Sequence, residues 1–269
     1  CPFCPGNEHM TPPEVLSYVD EKTGGWRLRV VPNKYPAMLG GHEVIIESPC
    51  HDAEIGLDLF EAVRERILDW KATDELARYA QFFKNSGSAA GASIEHAHSQ
   101  LVILPLVPKR IKEELDASKA QFESVGRCLF CDILEKERSD GARMIFETTQ
   151  VQIFAPWAPR VAFEMWIVPK PHGSHFEHAE LDLLNEVTFA LRVGLGMLDR
   201  AVGRLAYNLI LHTAPMQEAE LGHYHWHLEL LPRIAALGGF ELATDCYINA
   251  IWPEDSAELL RKTGQGDTA

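Results

Sequence analysis

Cys1 and Cys4 recur as Cys128 and Cys131, and His96 and His98 recur as His223 and His225, each 127 positions on. Gln100 to His227 and Pro105 to Pro232 keep the same offset. One offset shared by so many anchors means that the chain is two copies of one unit, so any fold proposed for the first half must also suit the second. Locally, "HAHSQLVILP" lies against "HYHWHLELLP", and "CPFC" against "CLFC". "HEVIIESPCH" (42–51) matches "FEMWIVPKPH" (163–172) at an offset of 121, which sets His51 opposite His172 and leaves a six-residue difference in the loops.

The predicted elements repeat too. "WRLRVVP", "GGHEVIIES" and "HSQLVILPLVP" read as strands, rich in β-branched and apolar residues, and residues 53–80 carry a helical spacing of Ile, Leu, Phe and Val. In the second half "RMIFETTQVQIFAP", "AFEMWIVPK", "YNLILHTAP" and "HWHLELLPR" read as strands, and residues 179–203 as the matching helix. Runs of strands with one long helix per unit predict an α+β fold with a mainly antiparallel sheet, not a doubly wound one. The units are expected at 1–107 and 128–269, joined by a charged, helix-patterned segment at 108–127. Equal anchors demand equal registers, so an approximate twofold axis is expected to overlay His98 on His225.

With 269 residues, 46% of them hydrophobic, the chain can bury a substantial core. Its net charge of -14 argues against a general nucleic-acid binder, which needs clustered Lys and Arg. No run approaches the roughly 18 apolar residues of a membrane span, so no membrane partner is expected and a cytoplasmic location is. The chain opens at Cys1, inside a motif, so further residues of the gene product are expected ahead of it. Four of the six cysteines form C-x-x-C pairs, a spacing that favours metal over disulfides. Cys50 and Cys246 stand apart and are expected to be buried and inert. Each unit thus offers two cysteines and two spaced histidines, predicting two structural zinc sites, Cys1/Cys4/His51/His96 and Cys128/Cys131/His172/His223. His175 or His178 can replace His172 in the second.

On a strand, side chains at i, i+2 and i+4 share a face, so His96, His98 and Gln100 point the same way. If zinc takes His96, His98 is left to face a pocket. The preceding "NSGSAAGAS" has the small residues that let a backbone approach an anion closely. His98 is then a candidate nucleophile at phosphorus, with Gln100 donating an amide hydrogen bond to a phosphoryl oxygen. The second half lacks this set, because Asn85 becomes His212 and Gln100 becomes His227 at the same offset, so it is expected to be structural.

"CPFCPGNE", "PNKYPA", "HEVIIESPCH", "NSGSAAGASIEHAHSQ" and "GGFELATDCYINAIWPED" together resemble the galactose-1-phosphate uridylyltransferase family of the histidine-triad superfamily, over essentially the whole chain. The wording is closest to the bacterial and plant branch that includes ADP-glucose phosphorylase. The resemblance implies two tandem histidine-triad-like units and a nucleotidyltransferase acting through a covalent nucleotidyl-His98 intermediate, with Gln100 assisting. It further implies phosphate contacts at Asn85, Gly91 and Ser93, nucleoside contacts at Asn33 and Lys34, and sugar contacts at Phe240 and Glu241. Expected partners are an NDP-sugar and a sugar 1-phosphate or phosphate, with a homodimer as an option. Two other readings stay open: a dinucleoside polyphosphate hydrolase or phosphorylase, and a non-catalytic, zinc-stabilised nucleotide-binding module. The family pattern departs at Asp245, where relatives commonly carry glycine, which leaves sugar identity open.

Overall fold

The structure is a computed structural model that describes residues 1–38, 41–236 and 238–264. In the first half β1 (Leu16–Val19), β2 (Trp26–Pro32) and β3 (His42–Ile46) are followed by helix α1 (Leu57–Thr73), then β4 (Tyr79–Ser86) and β5 (His98–Leu104). Helices α2 (Lys109–Val125) and α3 (Leu129–Asp140) lead to β6 (Met144–Glu147), β7 (Val151–Phe154) and β8 (Met165–Pro169). Helix α4 (Leu181–Val202), β9 (Tyr207–His212), β10 (His227–Pro232), α5 (Gly239–Thr244) and α6 (Pro253–Gly264) complete the chain.

The described strands form one ten-stranded sheet in the order β1-β2-β3-β5-β4-β9-β10-β8-β7-β6, with every neighbouring pair antiparallel. The order reads the same from both ends once the two halves are equated, which is the twofold arrangement the duplication predicts. The seam lies between β4 and β9, where Phe83 pairs with Ile210 and Asn85 with Asn208.

Strand pairing corrects the register read from the sequence. Phe83 faces Gln100 within the first unit, and Ile210 faces Glu229 within the second. His225 meets Cys128, Cys131 and His172 as His96 meets Cys1, Cys4 and His51, so His225 is the counterpart of His96 and not of His98. His98 then corresponds to His227 and Gln100 to Glu229, an offset of 129 rather than 127, and the pairings leave Asn85 corresponding to His212. A two-residue slip keeps every side chain on its own face, so strand alternation cannot tell the two registers apart.

A second correction concerns residues 53–80, predicted as one helix. Helix α1 ends at Thr73, where Asp74 turns to extended backbone, and Tyr79 onward is strand. Burial explains the error. On β4 Tyr79, Ala80 and Phe82 are all wholly buried in the middle of the sheet, so no polar alternation marks the strand.

One face of the sheet packs on α1 and α4. Leu28, Val30, Ile45, Phe82, Leu101 and Ile103 share a core with Leu59, Phe60, Val63 and Ile67 of α1 and Leu184, Val187 and Leu191 of α4. Each such side chain contributes roughly 1.5–3 kcal/mol on leaving water. The opposite face differs between halves. In the second, Leu115 of α2 packs beside Phe130, Tyr224 and Trp166, so that face is covered. In the first, Phe3, Val31, Val44 and Ile46 form only a small cluster, and the face opens into cavities. No helix among the described residues is long and apolar enough to cross a membrane.

Candidate active site

The two C-x-x-C turns each meet two histidines. Cys1, Cys4, His51 and His96 bring one ligand atom apiece within 4.8 Å of one another, and so do Cys128, Cys131, His172 and His225. His96 Nδ1 stands 3.7 Å from Cys1 Sγ and 3.8 Å from Cys4 Sγ, and Cys131 Sγ stands 3.5 Å from His172 Nδ1 and 3.7 Å from His225 Nδ1. Sulfur and nitrogen ligands of one tetrahedral zinc lie ~3.6 Å apart, so these donor sets fit that ion. Cys4 and His51 sit closer, at 3.0 Å. Backbone carbonyls fix the tautomers: His96 Nε2 donates to Ser48 O at 2.7 Å and His172 Nε2 to Leu221 O at 3.2 Å, leaving each Nδ1 lone pair for a metal.

The expected His223 is not in the second set. Its backbone carbonyl accepts from Cys128 Sγ at 3.7 Å and its ring lies against Phe122, while His225, wholly buried, takes the ligand position. The two-residue register difference is the cause. All six cysteines are free, and Cys50 and Cys246, expected to be buried, are exposed.

His98 stands where β5 begins, two residues beyond His96. Its Nδ1 donates to His96 O at 2.7 Å, so Nε2 carries the lone pair. The ring lines two cavities at once, and its edge meets Phe3 at a centroid distance of 5.5 Å. Burial lowers the pKa of His98, with the Lys84 charge adding to that effect against the pull of the His96 carbonyl. The imidazole is accordingly neutral at pH 7, the state a nucleophile needs.

One cavity, of about 360 Å³, is walled by Phe3, Val31, Pro32, Tyr35, Val44 and Ile94, with Asn33, Lys34, Ser93, His98 and Gln100 around it. An apolar slot with a few polar groups suits a planar base. The other, of about 390 Å³, presents Lys84, Asn85, Ser86, Gly87, Arg192, Arg204 and Tyr207 together with Asp52, Glu54, Glu95 and Asp199. This lining is polar and of mixed charge, with Arg192 paired to Glu54 and Arg204 to Asp52. His98 is at the junction.

Gln100 is held from behind. Ala37 N–H donates to His42 Nδ1 at 2.9 Å, which makes His42 Nε2 the protonated nitrogen, and it donates to Gln100 Oε1 at 2.8 Å. The amide NH₂ of Gln100 is thereby turned away from His42 and free to donate to a ligand. Asn85 Oδ1 likewise accepts from Asn208 across the seam at 2.7 Å, leaving its own NH₂. The loop between β4 and β5 depends on two glycines with positive φ, Gly87 at 81° and Gly91 at 88°. A side chain on Gly87 would come within 2.9 Å of Ala206 Cβ.

Of the residues singled out in the sequence, Asn33, Lys34, Asn85, Ser93, His98 and Gln100 each line one or other of the two cavities. Gly91 lines neither cavity but ends the short turn at 88–90. Phe240 and Glu241 lie on α5, also away from both linings: Phe240 is exposed, and Glu241 Oε2 accepts from Gly238 N at 3.0 Å at the start of its own helix. Sequence reasoning missed Phe3, His42, Glu47 and Lys84. Lys84 Nζ lies 2.6 Å from Glu47 Oε1 and donates to His98 O at 3.3 Å, a buried ion pair directly under the histidine.

At the equivalent positions the second unit is sealed. His227, counterpart of His98, is wholly buried, with Phe130 at 4.8 Å and Trp166 at 5.1 Å between centroids. Glu114 of α2 enters the space and lies 2.8 Å from His212 Nδ1, while His212 Nε2 lies 3.1 Å from Glu229. Arg160 bridges Glu229 and Glu164 at 2.6 and 2.7 Å. Against the cost of burial, Glu229 and Glu114 raise the pKa of His212 to about 10. A buried ionic network thus occupies the volume that remains a cavity in the first unit.

No protein-family model matches the chain. Among characterised relatives, ADP-glucose phosphorylase of Arabidopsis thaliana is 35% identical over 97% of this chain and 81% of its own length. Galactose-1-phosphate uridylyltransferase of Thermotoga maritima is 28% identical over 70% of this chain and 61% of its own. The crystal structure of the Arabidopsis ADP-glucose phosphorylase with bound ADP-glucose superposes with a TM-score of 0.89 at 35% identity, covering 97% of this chain and 89% of that one. The chain belongs to the galactose-1-phosphate uridylyltransferase family, in which ADP-glucose phosphorylase is its near relative.

Proposed function

We propose that this protein is a nucleotidyltransferase that moves a nucleoside monophosphate between an NDP-sugar and a hexose 1-phosphate or inorganic phosphate, through a nucleotide carried on His98. The observation that carries the reading is the placement of His98: a neutral imidazole with Nδ1 tied to a carbonyl and Nε2 free, between an apolar slot and a polar one. Nε2 attacks the α-phosphorus, the bond from that phosphorus to the bridging oxygen breaks, and the sugar 1-phosphate leaves. The nucleotidyl-imidazolium keeps its Nδ1 proton on His96 O. A phosphate oxygen of the acceptor then attacks phosphorus and the P–N bond breaks, restoring neutral His98. Splitting the transfer lets one pocket serve both halves. Gln100 and Asn85 supply uncharged donors where phosphoryl charge develops.

Asn33 and Lys34 hold the nucleoside in the apolar slot, and the loop carrying Gly91 and Ser93 lies against the phosphates. The two Cys₂His₂ sets hold structural zinc, since four protein ligands leave no position for water. Sets of this kind, rather than disulfides, fit a reducing compartment such as the cytoplasm. Phe240 and Glu241, if they bind the sugar, do so from a second copy of the chain, because α5 lines neither cavity of its own. The binding of ADP-glucose by the Arabidopsis relative supports a nucleotide sugar as ligand.

The test is product analysis with a panel of NDP-sugars offered with hexose 1-phosphates, with phosphate, and with water alone. Exchange requiring a phosphorylated acceptor and releasing sugar 1-phosphate supports the reading. Hydrolysis of dinucleoside polyphosphates without turnover of any NDP-sugar would overturn it.

A further inference from the structure

His175 is buried just before the short turn Phe176–His178, and the exposed His178 is one such turn further on. Their rings stack at 4.9 Å, 27° from parallel, so both present the same edge. That edge faces Glu220 on the long loop between β9 and β10: His175 Nδ1 and His178 Nδ1 lie 3.4 and 3.1 Å from Glu220 Oε2. We propose that His175, His178 and Glu220 form a third metal site, a two-histidine, one-carboxylate set for Zn²⁺ or a similar divalent transition ion, open to solvent at its fourth position.

Three observations support this. Nitrogen and oxygen ligands about 2.0–2.1 Å from one tetrahedral ion stand ~3.3–3.4 Å apart, longer than a charge-assisted hydrogen bond of about 2.7–2.9 Å and close to the spacing found. The tautomer is correct: His175 Nε2 donates to Pro215 O at 3.2 Å, so Nδ1 holds a lone pair and not a proton. Ser174 holds the carboxylate in place: its backbone N–H and its hydroxyl both donate to Glu220 Oε1, the hydroxyl at 2.8 Å, which leaves Oε2 on the side of the two histidines.

The site would clip the loop after β8 to the loop after β9. These loops already meet at the second Cys₂His₂ set, through His172 and Leu221 O, so the two ions would brace one corner of the structural half. The proposal does not depend on the reading of His98.

Full-length, zinc-loaded protein is titrated with Co²⁺. The expected result is one further equivalent bound, with visible d–d absorption and no thiolate-to-cobalt charge-transfer band, since no cysteine takes part. Removing an outer-shell partner typically weakens metal binding 10–100-fold, so loss of a ligand in His178→Ala or Glu220→Gln should weaken this equivalent more than about 100-fold. Both side chains are about half exposed, at 48% and 47%, so the variants should fold as wild type does. Equal cobalt uptake by wild type and His178→Ala, or a charge-transfer band on the added equivalent, would overturn the proposal; His178 would then simply donate to Glu220.

Discussion

Replacing Glu229 by Gln should separate what the second unit does from what the first does. Glu229 is 3% exposed and carries one charge for two cations: Arg160 Nη2 at 2.6 Å and His212 Nε2 at 3.1 Å. Glutamine keeps the shape and removes the charge. Breaking a buried pair from one side costs about 3–5 kcal/mol. Arg160 retains Glu164 and His212 retains Glu114, so the lower end, about 3 kcal/mol, is expected. At roughly 2–4 °C per kcal/mol for a chain of this size, Tm should fall by ~6–12 °C near pH 6. The pH dependence gives a second readout. His212 is raised to about 10 in the fold, so its contribution is complete below its unfolded pKa of about 6.5 and is lost as pH rises through 10. The gap between wild type and variant should therefore narrow between pH 6 and pH 10. Differential scanning calorimetry at both pH values, with zinc content measured alongside, reads both effects. A fall in Tm below about 2 °C at pH 6, or a gap that widens at pH 10, would refute an ion-paired network around His212.

Three other outcomes follow from the geometry. His225→Ala should lower bound zinc by one ion per chain while His223→Ala leaves it unchanged, measured by elemental analysis; the reverse would restore the 127-residue register. Gly87→Ala should destabilise by about 1–3 kcal/mol in a denaturant melt, because its φ of 81° with ψ of 155° suits glycine almost alone and the new methyl meets Ala206. Gln100→Ala should slow nucleotidyl transfer roughly 10²-fold to 10³-fold in single-turnover kinetics without changing zinc content, the loss typical of an oxyanion-hole donor.

Much of this site was legible because its parts are local. The C-x-x-C turns, the alternation of His96, His98 and Gln100, and the small-residue loop each carry their meaning within a few residues. The repeat then united them. What could not be read was anything depending on how two segments pair. The helix expected at 53–80 took in Tyr79 and Ala80, the start of β4, where neighbouring residues are both wholly buried and show no alternation, and without the strand went Lys84, Glu47 and their contact under His98. The register of the second unit was lost for the opposite reason: "HYHWH" offers three histidines two apart, and alternation accepts either pair. Only the meeting of His225 with the second C-x-x-C turn decides. His42 gave no local signal, since its role comes from reaching Gln100 diagonally across the β3–β5 pair. The helix pattern of α2 was visible, but not that Glu114 would enter the second unit and seal it.

The central claim is that the first unit alone carries the nucleotide, on His98. Mixing the enzyme with an NDP-sugar in the absence of acceptor, quenching under alkaline conditions that preserve a phosphoramidate, and mapping the adduct by peptide mass spectrometry tests it directly. The account predicts one nucleotidyl group on His98, absent from His98→Ala although that variant keeps its zinc and its fold. An adduct on His227 or any other residue, or one that persists in His98→Ala, would contradict it.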